Sequence, residues 1–307
     1  MKAPPGVDVA DLQARLNELG FTPVKLRPLA ESFWSRCFAF ESDDEPMVAR
    51  VGRRVDFYNK DRIAAEWANA ALPVPAINAI EPFRDAWVAV SDRVDGEPLE
   101  SLGRGEFDLI VDQLAAAIQA IGSIEPVGKG WGEFDLRGVG AYPSWRSYLE
   151  SAFTDGPKGE RPDRWLDHVS KELGETVAAA ESRLAELDLA SAARSPVHAD
   201  LQHGNVHVAD GRITGIFDWG SAAWGDPIYE SACFEYWSPW HPGIDLDRLL
   251  GLLDAAGRRA SLPGFADRRA ACVIHIGVTH IAWSGANLGN HHEAQQVADR
   301  LVELVNL

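Results

Sequence analysis

Cysteine is scarce in this 307-residue chain: Cys37, Cys233 and Cys272 are odd in number and widely scattered. Neither a disulfide framework nor a zinc knuckle follows from such a set, and the three thiols are expected as small buried hydrophobes. No run is long and apolar enough to span a bilayer, and residues 1–13 lack the hydrophobic stretch of a signal peptide, so a cytoplasmic protein is expected. Positive charge is short as well. Against 46 Asp and Glu there are 29 Lys and Arg, a formal net charge of -17 that repels nucleic acid and anionic membranes. A cationic small molecule is the favoured partner, although solubility alone also accounts for an acidic excess. Internal repeats and low-complexity tracts are missing, and residues 30–37 (AESFWSRC) hold no glycine, which excludes a glycine-rich phosphate loop there.

What is present concentrates in residues 198–218, HADLQHGNVHVADGRITGIFD. Asp210-Gly211 is a preferred two-residue hairpin loop, and β-rich runs flank it at residues 206–209 and 213–217. Folding back at that turn brings Asn205 beside Asp218, an amide oxygen and a carboxylate suited to Mg2+. Asp200, five residues before Asn205, stands clear of the metal and is placed to take a proton from an incoming hydroxyl. His-x-Asp-x4-Asn followed by Asp-x-Gly (Asp218-Trp219-Gly220) is the spacing of phosphoryl-transfer catalytic and metal loops. His198 reads as a brace for this loop. Taken singly, Asp200 could cap a helix and Asn205 could serve a turn. A transition-metal cluster of His198, Asp200, His203 and His207 is the competing chemistry, but it leaves Asn205, the hairpin and Asp218 without a purpose.

With 46% hydrophobic residues the chain can bury the cores of two lobes. A helix is expected over residues 7–19, with Val9, Leu12, Leu16 and Leu19 on one side, and paired strands at residues 38–40 and 47–51. Residues 86–94 read as a strand. Beyond residue 100 the apolar positions fall at helical spacing: Phe107, Ile110, Val111, Leu114, Ile118 and Ile121, then Trp165, Val169, Leu173, Val177 and Leu184, then Leu246, Leu249, Leu250 and Leu253. Residues 127–140, rich in glycine, read as a loop. His291-His292 beside Glu293 could suggest a metal site but reads as an exposed loop, since no further ligand lies nearby in sequence.

The loop motif, together with YNKDRIAAEWANAALPVPAI (residues 58–77), GVGAYPSWRSYL (138–149), GRITGIFDWGSAAWGDPIYE (211–230) and FEYWSPW (234–240), resembles the aminoglycoside phosphotransferase and choline kinase family, and within it the hygromycin B phosphotransferases. The resemblance implies an α+β, two-lobed protein-kinase-like fold: a small β-sheet lobe, residues 1–95, that binds nucleotide, and a mainly helical lobe, residues 96–307, that carries catalysis and the acceptor. It implies ATP as donor, with GTP as an alternative, Mg2+ as cofactor, and a small-molecule antibiotic as acceptor. A monomer is expected, with a homodimer as the alternative. Ser32 and Ser35 would offer hydroxyls and N–H groups to phosphate. Arg50 stands in the lysine position of a Val-Ala-Ile-Lys strand, and Lys60 competes for the same role; Asp61 or Glu66 would supply its pairing carboxylate. Backbone groups at Ser91, Arg93 and Val94 would hold adenine at the hinge.

For the acceptor, the resemblance points to Glu235, Trp237 and Trp240, to Asp200 itself and to His280, with Asp226 as a brace for the catalytic loop. Where hygromycin kinases carry Asp-Gln in a late helix, this chain has Thr279-His280. Losing that carboxylate keeps a nucleoside antibiotic such as a capuramycin open beside a hygromycin-like aminoglycoside. A small-metabolite kinase acting on choline, homoserine or a sugar, and a pseudokinase-like nucleotide-binding module, are the remaining alternatives.

Overall fold

The computed structural model describes residues 5–154 and 162–307. In chain order its elements begin with α1 (Val9–Glu18), β1 (Val24–Glu31), β2 (Ser35–Ser42), β3 (Glu45–Gly52), α2 (Val55–Ala65), β4 (Ile77–Phe83), β5 (Ala86–Asp92) and β6 (Glu97–Pro98). There follow α3 (Arg104–Ile121), β7 (Trp131–Phe134), β8 (Gly140–Tyr142), α4 (Trp145–Glu150), α5 (Lys171–Glu186), β9 (Ser195–Val197), β10 (Val206–Ala209) and β11 (Arg212–Ile216). The chain closes with β12 (Ala223–Gly225), α6 (Ile228–Trp237), α7 (Leu246–Ala255), α8 (Phe265–Ile281) and α9 (His291–Val305). They form two compact units: Lys2–Leu99 with His203–Ser221, and Glu100–Gln202 with Ala222–Leu307.

In the first unit, five antiparallel strands run in the order β1-β2-β3-β5-β4. Alternation along β3 decides which side chain goes where. Met47, Ala49 and Val51 bury against Leu12 and Leu16 of α1, joined by Phe38, Phe40, Val88 and Val90. Val48 and Arg50 therefore point to the opposite face, over which α2 packs with Tyr58 and Ala64 buried. Asp8 caps α1, its carboxylate accepting from the N–H of Ala10 at 2.8 Å and of Asp11 at 3.2 Å.

The boundary expected at residue 95 differs from the observed division, because residues 203–221 join the first unit. β10 pairs with β11 and also with β6, where His207 faces Pro98 and Val208 faces Glu97. The Ile216 N–H donates to the Pro73 carbonyl at 2.7 Å. Asp210 and Gly211 take φ of 49° and 68°, the left-handed pair that a two-residue hairpin turn requires. Gly96 is fixed by contact: at φ +109°, a Cβ there would lie 2.4 Å from the Val208 carbonyl oxygen.

In the second unit, the expected face of α3 is buried along its whole length. Residues 127–140 are not loop throughout, since β7 and β8 complete a four-stranded sheet, β8-β7-β12-β9. The helix expected from Trp165 is also interrupted. Residues 165–168 form a single tight turn, and α5 begins at Lys171 because the Ser170 hydroxyl accepts from the Leu173 N–H at 3.2 Å. α8 is the core helix, buried from Ala270 to Val278 and packed with α5, α6 and α9. His291 and His292, expected in a loop, instead occupy the exposed first turn of α9, which the Asn290 side chain caps by accepting from the Glu293 N–H at 3.2 Å.

Candidate active site

A cavity of about 530 Å3 opens in the first unit on the sheet face away from α1. Period-two alternation delivers Cys37, Val48, Arg50 and Ser91 to its wall, and the chain just after β5 supplies Arg93 and Val94. The Arg93 N–H is already held by the Pro46 carbonyl at 3.0 Å. The Val94 side chain packs onto Gly215, where a Cβ would come within 2.5 Å of a Val94 methyl.

Arg50 is the charged centre of this wall. Its guanidinium is paired to the buried Asp61 of α2 and reaches Asp218 Oδ1 at 3.3 Å, while the Tyr58 ring lies 5.1 Å below it. Burial alone would lower its pKa, but Asp61 and Asp218 outweigh that and hold it above the usual arginine range. Asp61 also accepts from the Trp219 N–H at 2.8 Å, which ties α2 to the chain just after Asp218. Glu66 is exposed at the end of α2. Lys60 lies outside the cavity wall: its ammonium is buried and donates to the Gly220 carbonyl at 2.8 Å.

The Ser32–Ser35 turn closes on itself rather than opening toward a ligand. The Ser32 hydroxyl accepts from the N–H groups of Trp34 at 3.2 Å and Ser35 at 3.1 Å, and Ser35 is not part of the cavity wall. Its hydroxyl sits 3.4 Å from that of Ser32.

At the hairpin base, the Phe217 N–H donates to the Asn205 carbonyl at 3.0 Å, and Val206 faces Ile216. This sets Asn205 beside the start of the Asp218-Trp219-Gly220 turn. Asp218 adopts φ +60°, and its side chain is 49% exposed, so it keeps oxygen available beyond the contact with Arg50. An amide oxygen and a carboxylate are hard donors of the kind that would hold Mg2+. Among the described residues no group of three or more His, Cys, Asp or Glu is placed to hold a metal ion, so the four-residue transition-metal cluster is not assembled.

The segment that carries Asp200 belongs to the second unit. After β9, fully buried His198 and its neighbour Ala199, at φ +67°, turn the chain toward Asp200. Glu230 of α6 holds this turn: one carboxylate oxygen accepts from the N–H groups of both His198 and Ala199, the latter at 3.0 Å. Glu230 is 1% exposed and its second oxygen has no hydrogen-bond partner. Burial pushes its pKa up to about 7, the two N–H donors oppose the rise, and the nearby Asp200 carboxylate adds to it. Asp226, expected to brace the loop, is instead locked to buried Arg268 by two hydrogen bonds of 2.7 Å. The brace is Glu230, one helical turn further on, and nothing in its local sequence marks it.

Of the acceptor residues, Trp237, Trp240 and His280 are brought together. The Trp237 ring centroid lies 5.2 Å from that of Trp240 and 4.5 Å from that of His280, both edge-on. Glu235 does not join them with a free carboxylate, because Arg269 takes both its oxygens at 2.7 Å. The neighbouring Thr279 hydroxyl is buried and unpartnered.

Residues 25–270 match the phosphotransferase enzyme family. The chain is 32% identical over 223 residues to hygromycin-B 4-O-kinase of Escherichia coli, a match that covers 70% of this chain and spans 63% of that relative's length. The crystal structure of a thermostable mutant of aminoglycoside phosphotransferase APH(4)-Ia in its apo form aligns with TM-score 0.82 and 26% identity, over 97% of this chain and 98% of that one. A ternary complex of the same enzyme with AMP-PNP and hygromycin B aligns with TM-score 0.81 and 26% identity, over 96% and 97%. With this α+β, protein-kinase-like fold and a match over most of its length, the chain belongs to the phosphotransferase enzyme family.

Proposed function

We propose that this protein is an ATP-dependent O-phosphotransferase that inactivates an antibiotic by phosphorylating one of its hydroxyl groups in the cytoplasm. The observation that carries the reading is Arg50, partly buried in the cavity wall and held between Asp61 and Asp218. A cation fixed by a helix carboxylate beside a metal-ligating aspartate is the arrangement that binds nucleotide phosphates for transfer. Arg50, not Lys60, takes that role; Lys60 holds the Gly220 carbonyl. Asn205 and Asp218 would hold Mg2+, which supplies charge neutralisation on the phosphates.

In the reaction, the acceptor oxygen attacks the γ-phosphorus in line, the bond from that phosphorus to the bridging β–γ oxygen breaks, and ADP leaves. Asp200 orients the hydroxyl and takes its proton. His198 acts through the loop backbone, not on the proton.

The acceptor is a hygromycin B-like aminoglycoside, supported by the kinase relative and by the ligand named for APH(4)-Ia. Trp237, Trp240 and His280 form the aromatic surface offered to it. One observation favours a second reading: Arg269 occupies Glu235, which removes a carboxylate expected to meet acceptor amines and suits a less cationic nucleoside antibiotic. A coupled ADP-release assay over hygromycin B, a capuramycin, choline, homoserine and simple sugars, with mass spectrometry of the product, tests this. D200A should lose turnover while still binding AMP-PNP; turnover within roughly tenfold of wild type would overturn the base assignment. Nucleotide binding with no turnover of any acceptor would point to a binding module.

A further inference from the structure

The turn between β1 and β2 lies at the Arg50 end of the cavity. Ala30, Cys37 and Arg50 sit side by side across β1, β2 and β3 and line the wall, and the turn leaves β1 directly after Glu31. It holds no glycine, and the Ser32 hydroxyl clasps it from within. Such a backbone has little freedom to mould itself to phosphates, so its position has to be set by packing. Trp34 supplies that packing. Its ring lies edge-on to Phe57 of α2, centroids 5.6 Å apart, and the Arg54 guanidinium covers both rings, 4.3 Å from the Phe57 centroid and 5.9 Å from that of Trp34. Asp56 fixes that guanidinium, accepting from Nε at 3.0 Å and from Nη2 at 2.7 Å. The backbone is fastened too: a Cβ at Gly52 would lie 2.7 Å from the Trp34 carbonyl oxygen, an approach of β3 to the turn that only glycine allows.

Phe57 has a second neighbour. A Cβ at Gly220 would come within 2.9 Å of its ring, so the side chain that seats Trp34 also abuts the Asp218-Trp219-Gly220 turn. α2 holds that turn at two further points, through Lys60 to the Gly220 carbonyl and through Asp61 to the Trp219 N–H. One helix therefore sets three things in register: the Arg50 cation, the Asp218 turn and, by way of Trp34, the β1–β2 turn.

We propose that Trp34 is a positioning residue of phosphoryl transfer: docked on Phe57, it holds the β1–β2 turn over the γ-phosphate so that the phosphoryl group passes to the acceptor hydroxyl and not to water. The proposal rests on the kinase reading above and deepens it. In the competing reaction a water oxygen bonds to the γ-phosphorus as the bond to the β–γ bridging oxygen breaks, giving ADP, inorganic phosphate and a proton. A fixed cover denies water that line of attack.

The full chain is assayed with ATP, Mg2+ and hygromycin B, or the member of the acceptor panel that wild type turns over, reading phosphorylated product by mass spectrometry and inorganic phosphate by a coupled assay. W34A should lower kcat for transfer roughly tenfold and raise the ratio of phosphate released to product formed at least about fivefold, with ADP affinity by calorimetry within about threefold of wild type. W34F keeps an edge-on partner for Phe57 and should stay within about threefold of wild type in all three. F57L should move the ratio in the same direction, and adding W34A to it should move it little further, since both remove one contact. Each variant is assayed well below its own melting temperature, so unfolded chain does not enter the ratio. A W34A ratio equal to that of wild type overturns the proposal, as does a W34F variant as impaired as W34A. Wild type that phosphorylates no acceptor removes the kinase reading and this role with it; wild-type transfer with an unchanged W34A ratio removes this role alone.

Discussion

Replacing Glu230 by glutamine should change how stability depends on pH. The side chain is 1% exposed, one oxygen holds the His198 and Ala199 N–H groups, and the other faces no partner. Because its pKa rises from 4.5 to about 7 on folding, the native state keeps a proton that the unfolded chain has released between those values. Stability from this group is therefore full below pH 4.5 and is lost as pH climbs to about 7. A rise of two to three pH units corresponds to about 3 kcal/mol. Glutamine keeps an oxygen for both N–H groups and cannot ionise. Urea unfolding of wild type and E230Q from pH 5 to pH 9 should show the variant gaining about 3 kcal/mol relative to wild type between the two ends. Parallel curves would refute a native-state proton on Glu230. E230A, by contrast, strands both N–H groups and should cost about 2–5 kcal/mol at pH 5, a cost that shrinks toward pH 9 by the same increment as in E230Q, with a fall in kcat as the Asp200 loop loses its support.

R50K keeps the charge but not the planar fork that spans Asp61 and Asp218, so kcat/KM for ATP should fall roughly 10- to 100-fold in the coupled assay, and an unchanged value would remove Arg50 from the phosphate site. R268A leaves Asp226 buried without its counter-ion and should destabilise by about 3–5 kcal/mol, seen as a melting temperature lower by roughly 10 °C. G96A forces a Cβ to 2.4 Å from the Val208 carbonyl at φ +109° and should cost about 1–3 kcal/mol in urea titration; a neutral change would show that the loop at Gly96 readily moves away from β10.

Short-range features were readable in the sequence. Asp210-Gly211 announced the hairpin, which in turn placed Asn205 next to the residues before Asp218, and alternation through residues 47–51 put Arg50 opposite the buried face. The ambiguous partner of Arg50 resolved only in three dimensions, since Asp61 and Glu66 sit on the same helix and only one faces the sheet. Ion pairs distant along the chain were invisible. Asp226 and Glu235 looked like a brace and a substrate ligand, yet Arg268 and Arg269, more than thirty residues later, claim them both. The break before α5 was legible in principle, because Ser170 precedes Lys171 as a cap, but an apolar pattern continuing through Val169 obscured it.

The pairing of β6 with β10 sets a timetable for synthesis. Pro98 must wait for His207, and Asp61 for the Trp219 N–H, so the first unit is incomplete until residue 221 has left the ribosome. At about 5–20 residues per second that interval is roughly 6–24 seconds, during which the edge of β6 has no neighbour and Asp61 lacks one of its donors. A fragment ending at Leu99 would be frozen in that state. The first unit is therefore not separable as an N-terminal piece, and a nascent chain stalled there would expose an unpaired strand edge of the kind chaperones shield.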